Sequence, residues 1–527
     1  MSASGETSSI FSETAQTKNE ADERGRTISK GVRSLTAQNI GTSILALVFV
    51  SALVRYLPGS QYGVYSAISI VVSIAAAFAT FGLQDAATRF VSIPGAQRSQ
   101  AASAVRKIIF LSVISSAVVS LFVVAFSQSI SLFFTKSASF VPDFELGAVW
   151  LFSNSIALIF QGVVQGLKKY SLLAKILFVS RAVMVALTIA GLAEHANLFI
   201  SIYSWIVYGA LVTAWAFKVA NKELREATSS DRAAGQVLVT QGFGYASIFR
   251  YTFPLGLAGI LIVATQNSDL AVVGGYLNPF SLGVYNSVIT ISSFLSFVLL
   301  TPLITAIFPE ASSSSTNSLQ ISNGLRLAFR FIFLGVLPAS FFVAATSPQL
   351  LLVLSGQPSY LAGSISLELI AAFYSLLVVQ TVVYSVLQAI GRTFHVLLIT
   401  LTATVAEICG SIMLVPDFGL FGAALARVLG ALFGAVVSIY LARGLLVKRE
   451  NQGFYWKAAF SALFPFSIIL YLSNFVSHAT VTLVPYSLIW GALFLFCIRT
   501  FKLLNNEDRV LLSHILPGGL KKLLSYI

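Results

Sequence analysis

Apolar runs of about 18 or more residues recur along almost the whole chain, separated by short polar breaks. Each run is long enough to cross a hydrocarbon core of about 30 Å as a helix. The runs predict an all-α integral membrane protein with about fourteen spans. They fall near 36–54, 64–83, 108–127, 146–166, 176–193, 197–217, 251–275, 284–307, 331–347, 369–388, 395–415, 420–442, 458–474 and 479–498. Composition agrees: 56% of residues are hydrophobic and 10% are charged, against about 25% charged in a soluble domain. A soluble protein this apolar lacks the polar surface to cover itself, so lipid is its solvent.

The positions of Lys and Arg set the orientation. With the amino terminus inside, 29 of the 33 Lys and Arg fall in cytoplasmic segments. Two, Arg55 and Lys136, fall outside, and two, Arg181 and Arg427, lie within spans. Adding or removing one span inverts every later segment and destroys the asymmetry, so the count also argues for an even number of spans. The net charge of +13 then reports topology and attraction to an anionic leaflet, not a nucleic-acid partner. A plasma-membrane protein with both termini cytoplasmic is expected.

The first 33 residues form a polar tail of mixed charge, predicted to be disordered. Its length and acidic content exclude a cleavable signal peptide. Cys409 and Cys497 lie in apolar runs and read as two buried small hydrophobes. The longest polar segment between spans, 219–249, reads as a cytoplasmic linker. It divides 34–218 from 250–443, and 444–527 adds two helices and a tail.

The two halves share a motif. Residues 56–65 read YLPGSQYGVY and residues 276–285 read YLNPFSLGVY. At an offset of 220, Tyr56, Leu57, Gly63, Val64 and Tyr65 match Tyr276, Leu277, Gly283, Val284 and Tyr285 without a gap. Six spans separate the copies, and an even number preserves orientation. The repeat is therefore predicted to be parallel, about an axis along the membrane normal. The architecture expected is two pseudo-symmetric six-helix bundles plus two carboxy-terminal helices.

No phosphate-binding loop, nucleophile elbow, metalloprotease motif or clustered acid pair is present, and no cofactor is implied. The outer loops are short, and Asp143 with Glu145 is the one close acidic pair in them, which argues against a membrane-embedded glycosyltransferase. A transporter is predicted, not an enzyme.

Several short motifs occur in order along the chain. Tyr251, Pro254 and Leu255 open one span, Asp269 lies near its far end, and Gly283-Val284-Tyr285 follows. Ile307-Phe308-Pro309-Glu310 closes the next span. Further on come Ser355-Gly356 with Tyr360, the turn Gln388 to Arg392, and Pro416 to Ala424. In the first half, Leu53 to Leu57, Gly63-Val64-Tyr65, Phe81-Gly82-Leu83 and Arg89-Phe90 complete the set. In order and spacing, from about residue 30 to the end, these resemble the polysaccharide flippases of the multidrug/oligosaccharidyl-lipid/polysaccharide exporter superfamily, which has the MATE/MurJ-like fold. The resemblance implies two bundles facing each other across a cleft. It also implies movement of a lipid-phosphate- or pyrophosphate-linked saccharide from the cytoplasmic to the outer leaflet by alternating access. The alternative on the same fold is a cation-coupled exporter of drugs or metabolites.

Charges inside the spans are the candidate site, because each costs about 3 kcal/mol at the bilayer centre if it faces lipid. Arg181 and Arg427, with Arg55 near a helix end, are candidate ligands for a substrate phosphate. Asp269 and Glu407 are candidates for a coupling proton or sodium ion. The competing reading is structural: Glu407 and Arg427 neutralise each other, and Asp269 pairs with an arginine. Asn154, Gln161, Gln266 and Asn267 are candidate contacts to sugar hydroxyls, or hydrogen-bond pins between helices. A monomer in the bilayer is expected. Reporters fused to either terminus are expected on the cytoplasmic side; protease access to a carboxy-terminal tag from outside intact cells overturns the parity argument.

Overall fold

The computed structural model describes residues 38–92, 98–233, 244–295, 318–445, 452–473 and 480–504. Among them every regular element is helical. The polar tails at 1–33 and after 504, and the predicted motif Ile307 to Glu310, lie outside the described residues.

The first half comprises α1 (Gln38–Tyr56), α2 (Gly59–Thr80), α3 (Leu83–Ser92), α4 (Arg98–Ala125), α5 (Ser127–Thr135), α6 (Val141–Gly166), α7 (Tyr170–Glu194) and α8 (Leu198–Ala233). The second half comprises α9 (Tyr245–Tyr276), α10 (Pro279–Leu295), α11 (Ser318–Phe331), α12 (Leu337–Ala345), α13 (Ser347–Ser355), α14 (Ser364–Ala372), α15 (Tyr374–Ala389) and α16 (Thr393–Ala442). Then follow α17 (Gln452–Ser473) and α18 (Leu483–Phe501). One π turn, Ile332–Val336, joins α11 to α12.

Eleven helices among the described residues are long and apolar enough to cross a membrane, or twelve if α14 and α15, bent by 43° with their preceding turn, count as one. Two features separate this count from the predicted fourteen. The predicted spans 395–415 and 420–442 share the single 50-residue element α16. A straight helix of that length measures about 75 Å, more than twice the hydrocarbon core. The element instead breaks at Gly419, with φ 57° and ψ −131°, three residues after Pro416. The predicted span 284–307 begins as α10 and runs beyond the described residues. Helix α8 also continues to Ala233, through the start of the predicted linker, where Lys169 pairs with Glu223 at 3.0 Å. Cys409 is exposed, correcting the expectation that both cysteines are buried.

The two copies of the motif meet face to face where α2 crosses α10. A methyl group on Gly63 would fall on the Pro279 carbonyl, and one on Gly283 would lie 2.9 Å from the Tyr62 ring. Only glycine permits this approach. One turn further, Asn286 Nδ2 donates to Ser66 Oγ at 2.9 Å and to Tyr62 Oη at 3.1 Å. Ser66 and Asn286 are themselves 220 residues apart, so equivalent positions touch across the axis that relates the copies.

The offset extends to shorter elements. Ser127–Thr135 and Ser347–Ser355 are nine-residue helices at the same 220-residue spacing. Each ends on a left-handed residue, Lys136 at φ 55° and Gly356 at φ 66°. Each packs on the other half. Arg55 at the end of α1 reaches α13: its Nη2 donates to the Val353 carbonyl at 2.5 Å and its Nε to Leu354 at 3.4 Å. Ser51 Oγ donates to Leu354 O at 2.8 Å, and Gln357 Nε2 to Val54 O at 3.0 Å. On the other edge, Lys136 Nζ donates to the Gly275 carbonyl at the end of α9 at 2.5 Å. We call this the clasp face; the charge asymmetry predicts it to be the outer one. The largest apolar cluster lies beneath it and is built from both halves, with Leu53, Tyr62 and Trp150 beside Tyr285, Leu351 and Tyr360.

At the opposite, basic face the start of α9 leans on α3. Arg89 lies 4.2 Å over the Tyr251 ring, and Phe81 packs edge-on against Phe253. Replacing Gly63 by alanine is expected to lower the melting temperature in detergent, since overpacking costs about 1–3 kcal/mol. Gly491→Ala, where nothing lies within 4 Å of an added methyl, serves as the control and leaves it unchanged or slightly raised.

Candidate functional site

Of the four charged residues expected inside spans, the fold gathers three into one buried cluster. Asp269 sits about two turns before the end of α9 and is fully buried. Arg427 lies on α16 beyond its break, and Glu407 lies before it. Because α16 doubles back at Gly419, both residues turn toward α9. Arg427 grips Asp269 with two bonds, Nε to Oδ2 at 2.6 Å and Nη2 to Oδ1 at 2.8 Å. Tyr285 Oη donates to Oδ2 at 2.7 Å, and the Leu270 amide donates to Oδ1 at 2.8 Å. Both carboxylate oxygens of Asp269 are thus occupied. Glu407, 4% exposed, stands further off: its Oε1 is 3.7 Å from Arg427 Nη2 and has no hydrogen-bond partner. Gly430 makes room for it, since a methyl there would lie 2.9 Å from the Glu407 Cβ.

The expectation that Glu407 and Arg427 neutralise each other is therefore met only at second rank; Asp269 is the principal partner. Close bidentate geometry is what lets Coulombic attraction offset the desolvation of this guanidinium. Arg427 also lines a cavity of about 60 Å³ with Ser292, Ser293, Tyr374 and Leu377.

The fourth charge, Arg181 on α7, lies in the first half, away from this cluster. Its guanidinium carbon stands 4.3 Å over the Trp205 ring and 5.9 Å from that of Tyr208. Trp205 is held on its other side by a stack of rings: Trp150 at 5.0 Å, then Tyr65, then Tyr62. Its Nε1 donates to Tyr65 Oη at 2.8 Å. Arg181 borders a cavity of about 220 Å³, shared with Gln38, Thr42, Ser43, Ala46, Leu177 and Tyr208.

The remaining candidates are scattered. Arg55 is engaged with carbonyls of the clasp face. Gln266 contributes its backbone carbonyl to Arg427 at 3.2 Å, while its side chain is exposed. Asn267 Nδ2 donates to its own helix at Val263. Asn154 and Gln161 are half-buried on α6. Tyr285, Trp205, Tyr208 and Lys136 were not candidates; the offset of 220, which pairs Lys136 with Gly356, is the signal that marks the last of them.

Residues 52–362, more than half of the chain, match the family described as polysaccharide biosynthesis protein. The chain belongs to that family. Among curated relatives of this polysaccharide biosynthesis chain, a protein of Haloferax volcanii named as a probable low-salt glycan biosynthesis flippase is 22% identical over 425 residues, covering 79% of this chain and 84% of its own. Among solved structures, a lipid II flippase MurJ in an inward closed conformation superposes with a TM-score of 0.66 at 13% identity, over 89% of this chain and 98% of its own. A superfamily transporter from Pyrococcus furiosus gives 0.53 at 16% identity, over 80% and 97%. At these identities the superpositions establish the MurJ/MATE-like fold alone. With the family and the long apolar helices, they make this a multi-pass membrane protein of the polysaccharide biosynthesis family on that fold.

The Asp269–Arg427 pair predicts a specific pattern of stability. Asp269→Leu or Arg427→Met alone strands a buried charge and is expected to cost about 3–5 kcal/mol. The double variant is expected to recover most of the lost melting temperature in detergent. A double variant no better than the worse single one removes the pair as a structural unit.

Proposed function

We propose that this chain flips a lipid-linked saccharide from the cytoplasmic to the outer leaflet by alternating access between its two halves. The observation that carries the reading is the closure of the clasp face by repeat-related parts. Arg55 of α1 and Lys136 after α5 each donate to a carbonyl at a helix end of the opposite half, about the glycine crossing of α2 and α10. Hydrogen bonds, the glycine crossing and the apolar cluster beneath close this face, all contacts between the halves that can part. A charge-assisted bond to a carbonyl contributes about 1.5–3 kcal/mol, small enough to break and re-form within one cycle.

The family match and the flippase relative support a glycan as cargo. An anionic lipid phosphate crossing this slab needs positive charge along its route, and Arg181 borders the roomier cavity, about 220 Å³ against about 60 Å³ at Arg427. Glu407, with an oxygen free of hydrogen bonds beside Arg427, is the better candidate for a coupling proton than Asp269. The alternative of a cation-coupled exporter needs Asp269 open to a cation, and its two oxygens are occupied by Arg427, Tyr285 and a backbone amide.

The test is transport in liposomes. Purified protein is reconstituted with a short-chain prenyl-pyrophosphate disaccharide bearing a fluorophore, and leaflet distribution is followed by quenching from outside. The wild type is expected to redistribute the lipid, and Arg55→Ala with Lys136→Ala to change the rate by at least about tenfold, one decade for each ~1.4 kcal/mol of closure lost. A distribution that stays fixed under both a membrane potential and a proton gradient rejects the reading.

A further inference from the structure

Arg427 has two carboxylates, and Arg181 has none. No hydrogen bond or ion pair to the Arg181 guanidinium occurs among the described residues, and its Nε is buried without a partner. The face of Trp205 is its compensation. A desolvated cation–π contact returns about 2 kcal/mol, against about 3 kcal/mol for a cation at mid-membrane. It satisfies no N–H donor. Beside these donors lies the 220 Å³ cavity, far larger than one water needs.

The rest of the lining decides what fits. Thr42 Oγ1 donates to the carbonyls of Gln38 at 2.9 Å or Asn39 at 3.1 Å, and Ser43 Oγ donates to Asn39 O at 2.6 Å. Their protons are spent on α1, so they present lone pairs. Gln38 Nε2 donates to Thr42 Oγ1 at 3.3 Å and keeps a second N–H. The cavity therefore offers cationic donors on one side and hydroxyl acceptors on the other. A bare anion satisfies only the first; an anion next to sugar hydroxyls satisfies both.

We propose that this cavity in the amino-terminal half is an oxyanion site for the charged end of the transported glycan, with Arg181 binding a phosphate or a sugar carboxylate and Thr42 and Ser43 accepting from hydroxyls beside it. The site rests on the flippase reading. The ring stack of Trp205, Trp150 and Tyr65 holds the guanidinium in place before the ligand arrives, which lowers the ordering cost of binding.

The experiment uses the whole protein in detergent, mixed at matched mole fractions with dodecyl glucuronide, dodecyl phosphate or the neutral dodecyl glucoside. Tryptophan fluorescence and melting temperature are read for the wild type, Arg181→Gln and Arg181→Lys. Expected are saturable quenching and a raised melting temperature with at least one anionic amphiphile and not with the glucoside. Arg181→Gln is expected to weaken that response at least tenfold, with partial return in Arg181→Lys and an unliganded melting temperature equal to or above the wild type. A response to the glucuronide alone assigns a sugar carboxylate; a response to the phosphate alone assigns the carrier phosphate. Equal responses to all three amphiphiles, or equal responses in wild type and Arg181→Gln, overturn the site, as does a steep fall in the unliganded melting temperature of Arg181→Gln. Liposome transport run in parallel separates the two readings. Flipping without Arg181-dependent binding sinks the site and leaves the flippase. Arg181-dependent binding without flipping by the wild type keeps the site and sinks the flippase.

Discussion

Where α2 crosses α10, Gly63 lies against the backbone of Pro279 and Gly283 against Tyr62. Two helices come this close only where side chains are absent, as is usual for packing in lipid, where van der Waals contact replaces hydrophobic drive. The rest of the clasp face follows from that approach. It brings Asn286 within reach of Ser66 and Tyr62. It also sets the ends of α1 and α9 against α13 and α5, where Arg55 and Lys136 find carbonyls left open at helix ends.

Much of this was legible in the chain. Span positions follow from run length, because lipid requires long apolar helices and little else does. The repeat at a fixed offset was visible too, but not that its two copies meet at a glycine crossing. The two spans joined in α16 were legible as well, because Pro416 and Gly419 mark the break between them; the 43° bend between α14 and α15 left no such mark.

The site was legible in its residues but not in its pairings. Depth can be read from position within a run; the face of the helix cannot. Asp269 and Arg427 are 158 residues apart, and nothing local says that α16 returns to α9 at that height. Glu407 sat at a similar depth and looked the natural partner, yet Asp269 holds the guanidinium. Arg181 is the reverse case. Its isolation follows from what surrounds it, and no single-sequence pattern reports the absence of a counter-ion.

The two edges of the clasp face are not fastened alike. On the α1 edge, Ser51, Arg55 and Gln357 make four hydrogen bonds, and the turn that closes α13 is glycine, relaxed in its left-handed conformation. On the α5 edge a single ammonium crosses, and it belongs to a lysine whose own backbone is left-handed, a conformation that costs a residue with a Cβ about 1–2 kcal/mol. A scaffold with twofold character thus carries a lopsided lock. Among the described residues the α5 edge replaces hydrogen bonds with ring packing, the Phe134 and Phe133 rings lying against Gly274 and Gly275, so the two edges are held by different kinds of contact.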